Sequence, residues 1–204
     1  MVHKAIFLDL GKVVIDFDFQ RGYRALEGIC PHAAAEIPKR IAPTGLVERL
    51  ECGLIEPRDF VSRLSGILEL RVDYDRFCAI WNHIFTAPLI PESMLAALAR
   101  RYRLLLLSNT NRIHFEMIRQ AYPMLRHFHH LVLSYEVHAM KPRPEIYRAA
   151  LDRAGCRPEE CFYTDDIAAY VDAARTLGID AVQFQGCEQL ERELHARGIA
   201  FADD

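Results

Sequence analysis

Asp9 ends an aliphatic run in FLDLGKVV and is one of four polar groups that closely follow a short apolar segment. Ser108-Asn109 close LLLLSNTN, Asp165-Asp166 close CFYTDD, and Lys141 lies in MKPRPE after a third apolar stretch. Each alone has an ordinary structural role. A strand-end Asp commonly caps a helix or makes a turn, Ser108-Asn109 can do the same, and a loop lysine is usually solvated. As a set they point to chemistry. Asp165-Asp166 place two carboxylates side by side after a buried segment, where they repel unless a cation is near. With Asp9 converging from another strand, they form a hard, all-oxygen site suited to Mg²⁺.

The elements that must position these groups are legible in the apolar pattern. Ala5–Leu8, Leu104–Leu107, Leu131–Leu133, Cys161–Tyr163 and Ala181–Phe184 read as strands. Short runs that are apolar on both faces suit a buried parallel sheet. Helical periods follow the second, third and fourth strands. Ile113, Met117 and Ala121 form the first of these, and Ile146, Ala150 and Ala154 the second, with Gly155 as its C-terminal cap. Ile167, Tyr170, Val171, Ala174 and Leu177 form the third, ending at Gly178. This alternation predicts an α/β fold: a Rossmann-like parallel sheet core with helices on both faces. Ligands in such sheets bind beyond the carboxyl ends of the strands, where the polar groups stand.

Residues 18–88 break the alternation and contain no convincing strand. Helices are expected around Leu46–Leu50, ending at Gly53, and from Pro57, with Phe60, Val61, Leu64, Ile67 and Leu68 on one face. Another is expected around Phe77–Trp81. A structureless loop of this length is implausible. The segment therefore reads as an inserted all-helical cap, and residues 1–17 and 89–204 as the core, re-entered through a helix over Ser93–Tyr102.

With 204 residues and a formal charge of -3, the chain has no basic footprint for nucleic acid or an anionic membrane. Its six cysteines form no CxxC pair and read as reduced thiols. MVHKAIFLDL does not have the pattern of a secretory leader, and the longest aliphatic run, Leu104–Leu107, is far short of a membrane span. A soluble, cytoplasmic monomer or homodimer is expected.

The order Asp9, Ser108, Lys141, Asp165-Asp166 resembles the four signature motifs of the haloacid dehalogenase superfamily. The resemblance covers the whole chain, including a helical cap inserted after the first strand. FLDLGKVV, LSNTNRIH and MKPRPEIY are most similar to the branch that includes an alpha-D-glucose-1-phosphate phosphatase. The resemblance implies a Mg²⁺-dependent hydrolase of a small phosphorylated metabolite. Asp9 would attack phosphorus and form an aspartyl-phosphate. Ser108 and Lys141 would hold the phosphoryl oxygens, with Asn109 also on the substrate side. Asp9, the backbone carbonyl of Gly11 and Asp166 would bind the metal, and Asp165 would support it directly or through water.

Three other readings use parts of the same pattern. A 2-haloacid dehalogenase has the nucleophile, Ser and Lys, but needs neither metal nor the Asp165-Asp166 pair. A non-catalytic phosphate- or protein-binding module would keep the fold and lose the activity. A receiver-type phosphoacceptor has its acidic pair after the first strand and no cap.

The sequence departs from the resemblance at Gly11, where most phosphatases of the superfamily carry a second Asp that protonates the leaving oxygen. Losing such an acid costs on the order of 10²–10⁴ in rate. Asp16, Asp18 and His114 are the candidate substitutes, set against turn and capping roles for the two aspartates and a surface position for the histidine. A poor acid favours an easily departing group, such as a sugar-1-phosphate or an acyl phosphate. The glycine itself is expected to serve a positive φ angle. Tyr170 departs too, since many relatives have Asp or Asn there. HFHH at 127–130 lacks paired metal ligands at a useful spacing and reads as a surface turn. Arg112 and Arg143 flank the phosphate residues. Phe77, Trp81 and Phe85 read as cap core rather than a sugar-stacking platform.

Overall fold

A computed structural model describes residues 2–201. Strands β1 (Ala5–Leu8), β4 (Arg103–Ser108), β5 (His130–Leu133), β6 (Cys161–Asp165) and β7 (Asp180–Gln183) form a parallel sheet of order β5-β4-β1-β6-β7. Strands β2 (Ile15–Phe17) and β3 (Phe85–Pro88) form a separate antiparallel pair. The helices are α1 (Phe19–Glu27), α2 (Ile37–Ile41), α3 (Leu46–Glu51), α4 (Pro57–Leu68), α5 (Tyr74–Trp81) and α6 (Glu92–Arg101). Beyond β4 come α7 (Arg112–Ala121), α8 (Ser134–Val137), α9 (Pro144–Ala154), α10 (Ala168–Thr176) and α11 (Cys187–Ala196).

The period-two alternation of each strand divides its apolar side chains between two cores. Ile6, Leu8, Leu104, Leu106 and Phe162 pack with Leu95 and Leu98 of α6, Ile118 of α7 and Leu190 and Leu194 of α11. Ala5, Phe7, Leu105, Leu107 and Tyr163 pack on the opposite face with Ile146 and Ala150 of α9 and Val171 and Ala174 of α10. Both faces are covered, as the unbroken apolar runs predict. Gly155 closes α9 at φ 61°, a left-handed conformation that glycine adopts freely.

A third core belongs to the helices between β2 and β3. Leu26, Ile37, Leu50, Phe60, Leu64, Leu68 and Phe77 cluster there, joined by Ile113 of α7. The expected helices are all present. The expectation of no strand in this stretch fails at β3, because half of this pair lies before the segment and neither short strand is apolar enough to be read alone. The β2–β3 pair draws the two ends of the helical insertion together. A second tie lies at Gly53, whose φ is 66° and where an added Cβ would fall 2.2 Å from the Tyr135 carbonyl oxygen. Close approach, as well as backbone conformation, requires glycine there. Next to it, the Cys52 carbonyl lies 3.0 Å from His138 Nδ1.

Candidate active site

The chain runs outward from β1 through β4 to β5, then returns to the other side of β1 to lay down β6 and β7. This reversal is the topological switch point at which open α/β sheets bind ligands. Asp9 lies one residue past the end of β1, its backbone N–H donating to Thr164 O at 3.1 Å. Ser108 ends β4 and Asp165 ends β6, so the sheet register brings three predicted residues to one edge. Oxygens of Asp9, Asp165 and Asp166 lie within 4.8 Å of one another, the sole such cluster of potential metal ligands among the described residues.

Lys141 enters this cluster from the loop before α9 and is almost fully buried. Its Nζ is 2.7 Å from Asp9 Oδ1 and 2.5 Å from Asp165 Oδ2, and donates to the Leu107 carbonyl at 3.2 Å. An ammonium has three donors, and all are engaged. Burial alone would lower the Lys141 pKa, but the attraction of Asp9 and Asp165 outweighs it and the pKa rises. Asp9 is pushed up to about 7, chiefly by burial, with Asp165 adding and Lys141 opposing. The two partners thus shift in ways a simple ion pair would not give. Two carboxylates act on this one ammonium and hold it protonated. Asp166 is raised by burial and by its neighbour Asp165. Asp165 is wholly buried; its other contacts are the Tyr163 hydroxyl and the Ile167 N–H, the latter at 2.9 Å.

Asn109 holds the Lys141 main chain from both sides. Its Oδ1 accepts from Lys141 N at 2.8 Å and its Nδ2 donates to Lys141 O at 3.0 Å. Asn111, not Ser108 or Asn109, caps α7 by accepting from His114 N at 3.0 Å. Ser108 and Asn109 are therefore not consumed in capping. Tyr170 packs by Lys141, its ring centroid 5.2 Å from Nζ.

The candidate acids are all committed elsewhere. Asp18 is the N-cap of α1 and accepts from Gln20 N at 2.9 Å. Asp16 accepts from Lys12 Nζ at 2.6 Å and from Phe17 N at 2.8 Å, and the Lys12 hydrogen bond is the main reason its pKa is lowered. His114 is not on the surface. It is buried, its ring stacks on Trp81 with an interplanar angle of 1°, and burial lowers its pKa to about 3. Nor does Gly11 need a positive φ. The left-handed residue in this turn is Lys12, at φ 62°. A Cβ on Gly11 would instead fall 2.6 Å from Cε1 of Phe17. The Phe17 ring fills the space that a side chain at position 11 would occupy.

Of the weaker signals, His127 pairs with Glu92 and His129 Nδ1 accepts from Leu104 N, so HFHH is held by ordinary structural contacts. Arg112 approaches Glu56 at 4.0 Å and lies over the Tyr135 ring. Phe77 is cap core as read, whereas Trp81 also borders a cavity. Tyr163 and Phe17 were invisible as site residues, since Tyr163 lies within a strand that hydrophobicity alone explains and Phe17 on a short strand with no pattern of its own.

A parallel α/β core with a carboxylate at the end of its central strand, a buried ammonium, an acidic cluster and a helical insertion fits the capped hydrolase class. The haloacid dehalogenase-like hydrolase family model matches residues 3–178, and the chain belongs to that family. It is 24% identical over 198 residues to a D-ribitol-5-phosphate phosphatase of Bacteroides thetaiotaomicron, covering 94% of this chain and 96% of that one. The HAD family enzyme bt-2542 of Bacteroides thetaiotaomicron, solved in complex with magnesium and inorganic phosphate, superposes with a TM-score of 0.83. The two are 30% identical over 90% of this chain and 95% of that one. An L-2-haloacid dehalogenase of Xanthobacter autotrophicus gives a TM-score of 0.63 at 20% identity, over 98% of this chain and 85% of that one, a likeness of fold alone.

Proposed function

We propose that this chain is a Mg²⁺-dependent phosphatase that hydrolyses a small phosphorylated sugar or polyol through an aspartyl-phosphate on Asp9. The observation that carries the reading is the convergence of Asp9, Asp165, Asp166 and Lys141 at the switch point of the sheet. Three crowded carboxylates fit a divalent cation, since only oxygen donors are present and only one lysine offsets their charge. Asp9, the Gly11 carbonyl and Asp166 would hold Mg²⁺, with Asp165 behind them, and the bound ion would supply charge neutralisation for the phosphate. The magnesium and phosphate bound by bt-2542 support the same assignment.

Asp9 attacks phosphorus in line with the departing alkoxide, and water then cleaves the acyl phosphate to regenerate the carboxylate. Lys141 gives up its contact with Asp9 to take a phosphoryl oxygen, while Asp165 and Leu107 O keep the ammonium in place. The Ser108 hydroxyl serves a second phosphoryl oxygen, and Asn109 positions Lys141 as well as facing substrate. Residues 18–88 act as the cap, excluding water and selecting the substrate.

Screening phosphorylated sugars, polyols and an aryl phosphate with Mg²⁺ and then with EDTA tests the reading. Hydrolysis should stop in EDTA and return with Mg²⁺. Unchanged turnover in EDTA would revive the dehalogenase reading, and no turnover of any ester would favour a non-catalytic module.

Within this reading, a sugar-1-phosphate is supported by the absence of an acid at Gly11 and by the commitment of Asp16, Asp18 and His114 to other partners. The name of the ribitol-5-phosphate relative supports a polyol ester instead. Matched 1- and 6-phosphates of one sugar separate the two. The 1-phosphate should react faster by on the order of 10² if no acid assists the leaving group, and equal rates would mean that an acid is supplied.

A further inference from the structure

A cavity of about 130 Å³ lies within the helical insertion where it meets α7. That is room for roughly four waters, or for a short polyhydroxy chain. Its walls include Phe19, Leu26 and Trp81, with Glu51, His114 and the Tyr23 phenol as its ionisable groups. Aromatic contacts link it to the turn after β1. Phe17, which fills the space beside Gly11, packs edge-on against Phe19 with ring centroids 4.9 Å apart. Phe85 bridges Phe17 and His114, at 6.2 and 5.1 Å between centroids.

The polar groups of this cavity are incompletely matched by the protein. Trp81 Nε1 is buried and donates to no protein group. Asn82 Nδ2 donates to the Ile113 carbonyl at 3.3 Å, so its Oδ1 is the acceptor facing His114 Nδ1 at 2.8 Å. Nδ1 therefore carries the proton, which leaves Nε2 an acceptor. Glu51 has no cation beside it; burial, with Glu48 adding, pushes its carboxyl up to about 7. Besides the Tyr23 phenol, the residues around the cavity thus carry acceptors on Glu51 and His114, an unmatched donor on Trp81, and aromatic faces. An ammonium group would satisfy Glu51 but leave the indole N–H unmatched. A hydroxyl both donates and accepts, and so can answer all three.

We propose that this cavity receives the neutral polyhydroxy body of the substrate, with Glu51 and His114 accepting from its hydroxyls and Trp81 donating to one. This rests on the phosphatase reading for the position of the phosphate, but the cavity can be tested without turnover. Trp81 is the single tryptophan of the chain, so fluorescence excited beyond the tyrosine absorption band reports on the cavity wall.

Glu51→Gln keeps size and shape while replacing a carboxylate acceptor with an amide, and Trp81→Phe removes the indole N–H together with one ring of the cavity wall. Each should raise KM for ribitol 5-phosphate or glucose 1-phosphate by about tenfold and leave kcat and inhibition by inorganic phosphate unchanged. Unbound ribitol and glucose should perturb Trp81 fluorescence in the wild type, and more weakly in Glu51→Gln. Unchanged KM in both variants would overturn the proposal, as would an equal rise in the phosphate inhibition constant. A fluorescence response to ethanolamine phosphate but not to the polyols would overturn it in favour of an amine site. If no ester is hydrolysed, the phosphatase reading fails, and the fluorescence titration alone decides the cavity.

Discussion

At the strand ends Lys141 engages Leu107 O, Asp9 and Asp165 at once, and Asp165 is met by Lys141, Tyr163 and Ile167. In the cavity under α1, Glu51 has no counter-charge and the Trp81 N–H no protein acceptor. Both regions bury polar groups, yet the first compensates them internally and the second leaves them without a protein partner. The contrast follows from what each must do. On the proposed mechanism, the Asp9 carboxylate and the Lys141 ammonium have to stand in place before the substrate arrives, because catalysis depends on preorganised charge. A pocket that recognises hydroxyls gains selectivity from groups left unpaired in its absence, since an analogue lacking the hydroxyl leaves them unmatched. The cost falls on stability, as it commonly does in binding sites.

The comparison is broken most severely at Asp9. Asp9→Asn keeps the shape and removes the nucleophile, so turnover of the best ester should fall by at least ~10⁴ with little change in unfolding free energy. A single-turnover measurement checks both the rate and the loss of the aspartyl-phosphate. Near-normal turnover would end covalent catalysis at this residue. Lys141→Met tests the compensation itself. It leaves Asp9 and Asp165 buried without their cation, and breaking a buried pair in this way costs about 3–5 kcal/mol. Urea unfolding of the variant should show that loss near neutral pH. A change below ~1 kcal/mol would mean that the cluster is far better solvated than its burial indicates.

The sheet and the strand-end residues were legible because hydrophobic runs and a fixed register determine them. Once the apolar runs were read as strands of one parallel sheet, Asp9, Ser108 and Asp165 had to lie at the same end of it. The observed order β5-β4-β1-β6-β7 makes β4 and β6 the neighbours of β1. Side-chain packing across elements is not written in local periodicity. Phe17 over Gly11, His114 under Trp81 and the Asn109 hold on Lys141 each join residues outside any one helix or strand. Position 11 shows the consequence. Its glycine was expected from backbone conformation, yet the constraint is a ring on β2.

That constraint sharpens the boundary between the two regions. Gly11→Asp should place its Cβ against Phe17 and destabilise the protein by about 1–3 kcal/mol, the usual cost of overpacking. Combined with Phe17→Ala, the aspartate gains room, and the two changes should be strongly non-additive. A double-mutant cycle in urea measures this coupling. Additive losses would show that the ring does not limit position 11. If the double variant also narrows the gap between 1- and 6-phosphates, the missing acid has been restored by making space for it.

The smallest effect concerns Glu51 and has the opposite sign. A carboxyl whose folded pKa is raised is stable as the neutral acid, so the folded state is favoured below the ordinary glutamate pKa. That advantage is lost as the pH rises through about 7. Above that range the folded protein holds an uncompensated carboxylate. The full shift would cost on the order of 3 kcal/mol, and the partial solvent contact of Glu51 reduces this to about 1–2 kcal/mol. Glu51→Gln has no such ionisation. It should therefore be more stable than the wild type by that amount at about pH 8 and nearly equal to it at about pH 4. Urea melts of both proteins at the two pH values measure the difference. A gain that does not depend on pH would remove ionisation of Glu51 as its cause. A gain that disappears at high pH when saturating ribitol is added would show that a polyhydroxy ligand supplies the compensation that the protein leaves out.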